Sequence, residues 1–118
     1  MVLHIRTALA CLDRLEQHGY GFGERNVDVL ATEQRRALGA RVVAGLGTLA
    51  RSRPLEHRYY SAGLRYQVWV TAPDGARLPL IDGGAFDWLA QLTSNRRAVF
   101  VATGLGAQLI ALRFSRRA

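Results

Sequence analysis

The chain has 118 residues, 49% of them hydrophobic, a single cysteine, and a formal net charge of +7 from 16 basic and 9 acidic side chains. This length holds one domain, residues 1–118, with enough apolar content for a core without disulfides or metal, and one cysteine excludes an internal disulfide or a multi-cysteine zinc site. No apolar run approaches the roughly 18 residues that cross a bilayer, so a reducing, cytoplasmic setting is expected in preference to membrane insertion or secretion.

Ile5, Leu9, Leu12 and Leu15 recur at spacings of three and four, with Arg6, Asp13, Glu16 and Gln17 on the other side. That period predicts an amphipathic helix from Leu3 to His18, with Cys11 on its apolar side as a small hydrophobe. Gly19 stops it, and the glycine-rich stretch to Gly23 reads as a loop. Val27 to Leu30 reads as a short strand. Thr32 followed by Glu33 reads as a helix N-cap with an acidic first turn, and Leu38, Val42, Leu46 and Leu49 carry a second helix to about Ser52. Gly39, Gly45 and Gly47 each weaken that helix by roughly 1 kcal/mol relative to alanine, unless they let another backbone approach.

After Pro54 the period becomes twofold. Leu64, Tyr66, Val68 and Val70 alternate with Arg65, Gln67 and Trp69, Pro73-Asp74-Gly75 signals a turn, and Leu78 to Ile81 reads as the return strand of a hairpin. Pro79 has no N–H to donate, which places that strand at an edge or its proline outside the ladder. Asp82-Gly83-Gly84 reads as another turn, Phe86 to Leu92 as a short helix and Ala98 to Ala102 as a buried strand. Ala107 to Phe114 fits either a helix or a final strand. The expected fold class is α+β, with N-terminal amphipathic helices packed on a mainly antiparallel sheet that contains a hairpin.

All 16 basic residues are arginine. A GC-rich genome produces this composition, and so does selection for planar, bidentate recognition of phosphate or carboxylate. Arg51-Ser52-Arg53 and His57-Arg58-Tyr59-Tyr60 mix cations with aromatics in a way that suits phosphate contact and base stacking. With Arg96 and Arg97 they define a candidate nucleic-acid set of Arg51, Arg53, Arg58, Arg96 and Arg97. A solvated loop leading into a strand explains the same letters, and paired arginines are often only solubilising surface. His4, His18 and His57 lack acidic or cysteine neighbours at ligand spacing, and no nucleophile and base stand in a recognisable order. No catalytic residue, metal or cofactor is therefore assigned.

Three stretches of the second half share an order with a known family. They are Tyr59-Tyr60-Ser61-Ala62-Gly63 before a strand, Asp82-Gly83-Gly84-Ala85-Phe86-Asp87 before the expected helix, and Ala98-Val99 running to Gly104-Leu105. Over roughly residues 55 to 112 this resembles the later part of the class II histidyl-tRNA synthetase catalytic fold, and more nearly the non-catalytic ATP phosphoribosyltransferase regulatory subunit. The departures share one chemical sense: where the synthetase pattern carries arginines, this chain has Leu55, Ala85 and Ala107, and Ala62 is an extra residue in the tyrosine signature. Those cations neutralise ATP and adenylate, so their loss argues against aminoacyl transfer. The resemblance implies a ligand pocket lined by Tyr59, Tyr60, Gly83 and Gly84, although core tyrosines at a strand start and a tight turn also account for these residues. The expected function is that of a non-catalytic regulatory or binding protein, contacting a partner protein or a small ligand. The alternatives are a basic nucleic-acid-binding module and a self-associating structural protein, a homodimer paired through sheet edges.

Overall fold

The computed structural model describes residues 1–56, 62–86 and 100–116. Among the described residues it is an α+β fold, a five-stranded mixed sheet with three α-helices. Helix α1 spans Val2–Glu16, strand β1 Arg25–Ala31, helix α2 Arg36–Leu46 and strand β2 Ala50–Pro54. Strands β3 (Leu64–Thr71), β4 (Arg77–Phe86) and β5 (Phe100–Leu105) follow, then the short helix α3 (Ala107–Arg113). The sheet order is β2-β1-β3-β4-β5, with β1 and β2 parallel and every other pair antiparallel.

The alternation in β3 decides which face is the core. Leu64, Tyr66, Val68 and Val70 are buried while Arg65, Gln67 and Trp69 are partly exposed, and the register sets Val68 beside Val27 and Tyr66 beside Val29. On that side Ile5 and Leu12 of α1, Val42 of α2, and Ile110 with Phe114 from the C-terminal segment join the strands in one apolar cluster. Phe22 and Phe114 meet with ring centroids 5.2 Å apart. Gly39 explains itself by this packing: a Cβ there would lie 2.9 Å from the Cβ of Ala31, so the glycine lets α2 settle closely onto β1.

The first helix and the hairpin lie where the periodicity puts them. Asp74 holds the hairpin turn through its Oδ1, which accepts the Ala76 N–H at 3.0 Å, and Gly75 sits at φ +90°. The ambiguous C-terminal stretch is helical. The expected helix from Phe86 to Leu92, and the residues before Phe100 in the expected strand, lie outside the described residues.

Three expectations are corrected. The second helix ends at Leu46, because Gly47 at φ +76° turns the chain and Ala50–Pro54 then pairs in parallel with β1; such a non-local pairing leaves no helical period to read. The helix also enters through a 3-10 turn at Glu33–Arg35, with no side-chain bond from Thr32. Asp82-Gly83-Gly84 is not a turn but the middle of β4, where a Cβ on Gly83 would lie 2.5 Å from Cε1 of Tyr66. Pro79 meets the second of its two expected placements: its strand is internal, and the register shifts between Val68 and Trp69, so the proline falls at a β-bulge that interrupts the regular ladder.

Candidate functional site

No described helix covers the opposite face of the sheet, and the register arranges its residues in cross-strand rows. One row runs Arg51, Asp28, Gln67, Asp82 and Gly104 through all five strands. The next runs Arg53, Leu30, Arg65, Gly84 and Ala102. Neighbouring strands are about 4.8 Å apart, so side chains along a row are in contact range.

Asp28 is the only fully buried charged residue among those described. The Nε of Arg51 donates to its Oδ1 at 2.6 Å, and Nη1 of Arg53 donates to its Oδ2 at 3.1 Å. The Asn26 amide adds a longer bond at 3.3 Å. Burial alone would push the Asp28 carboxyl up; the hydrogen bonds and charges of the two guanidinium groups outweigh it and hold the group below its usual range. Both arginines remain open to solvent, with side chains 65% and 50% exposed. One buried negative charge thus fixes two exposed positive ones, and the cluster carries a net single positive charge.

Farther along the face, the Arg65 guanidinium pairs with both carboxylate oxygens of Asp82. Arg51 also lines a hollow of about 280 Å³ together with Glu24, Asn26 and Arg77. Arg53 lines a second cleft with Ser52 and Arg36 at the end of the β1–β2 pair. Guanidinium groups held in fixed orientation, with N–H groups turned to solvent, suit bidentate binding of a carboxylate or a phosphate. A carboxylate already engaged by arginine is poorly placed to take up a proton in a reaction.

The structure therefore unites Arg51 and Arg53 on one anchor and places Gly84 on the same face. Gly83, its neighbour in the strand, lies on the helical face beneath Tyr66. Tyr59, Tyr60, Arg58, Arg96 and Arg97 lie outside the described residues. Asp28 and Arg77 escaped the reading of the sequence. The signal available for Asp28 was a lone acid inside the apolar run Val27 to Leu30, a place where a carboxylate needs a cation. No described helix is long and apolar enough to cross a membrane. Compared with protein-family models, with curated proteins and with solved structures, the chain matches none.

Proposed function

We propose that this chain is a non-catalytic binding protein of a reducing, cytoplasmic setting, a degenerate synthetase-like domain that takes a small oxyanion-bearing ligand on the strand face opposite its helices. The observation that carries this reading is the Arg51–Asp28–Arg53 cluster, in which two solvent-facing guanidinium groups share one fully buried carboxylate. A regulatory role follows naturally from a site that binds without transforming.

Isothermal titration with histidine, other amino acids and nucleotides at millimolar concentration tests the reading. Heat from at least one carboxylate- or phosphate-bearing compound is expected, and Arg51→Met should abolish it. Flat heats across the whole panel would remove this function.

The net charge of +7 favours one second reading, a nucleic-acid-binding module that uses the same arginines. It predicts retention on DNA or RNA that falls steeply with salt, because each neutralised phosphate releases a counterion. A small-ligand site predicts titration heats that persist at the salt concentration where polynucleotide binding is gone.

A further inference from the structure

On the other side of the molecule, α1 stops short of covering β5. A groove of about 390 Å³ runs between them, walled by Leu3, Ala8 and Cys11 of the helix and by Ile81 and Leu105 of the strands. This volume falls within the roughly 300–1,000 Å³ range of small-molecule sites. Only four large hydrophobic residues are exposed among those described, and two of them, Leu3 at 76% and Leu105 at 42%, flank this groove. Exposed apolar surface gathered in a concavity marks a binding site more than chance scatter does.

One polar chain enters the groove. Nδ1 of His4 lies 3.2 Å from the Thr103 hydroxyl, which lies 2.5 Å from the hydroxyl of the fully buried Tyr66. Burial favours the neutral phenol of Tyr66, so it keeps its proton and can donate to Thr103. With Tyr66 as the donor of this chain, Thr103 donates to Nδ1 of His4, and the Nε2–H of that ring, in the groove wall, is left as the remaining donor. The other hydroxyl in the wall, that of Thr7, is already spent on the Leu3 carbonyl at 2.8 Å. The groove thus offers apolar walls and one remaining donor, and its complement is an apolar body with one acceptor group at its end.

We propose that the groove between α1 and β5 is a second binding site, for a small aliphatic or aromatic molecule that ends in one acceptor group, such as the carboxylate of a medium-chain fatty acid. Its apolar part lies along Leu3, Cys11 and Leu105, and its oxygen accepts from His4. The site is independent of the arginine cluster, because α1 and Asp28 stand on opposite faces of the sheet.

Cys11 makes the test direct, because it is the only cysteine of the chain and an exposed one in the wall. The rate of its alkylation by iodoacetamide reports occupancy, with free glutathione alkylated in parallel to show that decanoate does not deplete the reagent. Decanoate at about ten times its Kd should slow the alkylation roughly tenfold. His4→Ala should weaken that protection by about fivefold, and His4→Gln, which keeps an N–H donor, should restore most of it. Alkylation of the folded chain that is indifferent to decanoate would overturn the proposal. So would equal protection in wild type, His4→Ala and His4→Gln. A rate that falls with protein concentration instead of with decanoate would assign the groove to a second copy of the chain and overturn it as well.

Discussion

Asp28 and Arg51 stand opposite each other on adjacent parallel strands, the carboxylate wholly buried and the guanidinium mostly in solvent, joined at 2.6 Å. The pair is unequal, and the inequality fixes what each substitution should cost. Asp28→Asn leaves two arginines that water can solvate, and should cost about 1–2 kcal/mol. The double variant Arg51→Met and Arg53→Met keeps the aliphatic cover but strands a buried carboxylate, and should cost about 3 kcal/mol. Urea denaturation of the two variants checks the order; a larger loss in Asp28→Asn would contradict the arrangement described.

The same cluster sets an acid limit. The folded-state pKa of Asp28 lies below its ordinary value of 3.8, so the carboxylate contributes stability that is fully present above the unfolded value and is lost as pH falls through the folded one. Asp74 is shifted in the same direction, first by the Ala76 N–H and then by Arg113, and acts with the same sign. The stability difference between wild type and Asp28→Asn, followed from neutral pH to about pH 2, should stay constant until about pH 4 and then shrink. A difference that grows on acidification would refute the assignment.

Gly83 should tolerate no side chain. A Cβ there would lie 2.5 Å and 2.7 Å from two atoms of the Tyr66 ring and 2.7 Å from the Ala102 carbonyl oxygen. Gly83→Ala should lower stability by about 3 kcal/mol, and adding Tyr66→Leu should recover part of the loss, because the two sites share one space. Thermal melts of the single and double variants give the coupling directly.

Trp69 carries the only buried side-chain donor among the described residues that has no partner, its indole N–H. Trp69→Phe removes that unmet donor and keeps the ring in the row with Asn26 and Pro79. Stability should be unchanged or rise by up to about 1 kcal/mol. A marked fall in the melting temperature would show that the N–H is satisfied in solution.

What was legible in the sequence is what local period and turn chemistry encode. Ile5 and Leu12 mark the buried stripe of α1, Leu64 to Val70 give the alternation of β3, and Asp74-Gly75 closes the hairpin in the structure as in the reading. Non-local effects hid the rest. Ala50–Pro54 is a strand because β1 accepts it, and Gly83 lies inside a strand because a ring from the neighbouring strand needs the space. The candidate site was half visible: Arg51 and Arg53 stood out as cations, but their shared anchor lies more than twenty residues earlier, and only the parallel register unites them.

Strand β2 ends the sheet, and Arg51, Ser52, Arg53 and Pro54 are exposed along it. Charges and a proline on a terminal strand discourage another chain from adding itself there. The arginines proposed to hold a ligand therefore also act as gatekeepers against aggregation. Variants that neutralise them should lose solubility at high concentration even where they remain folded, a cost unrelated to any ligand.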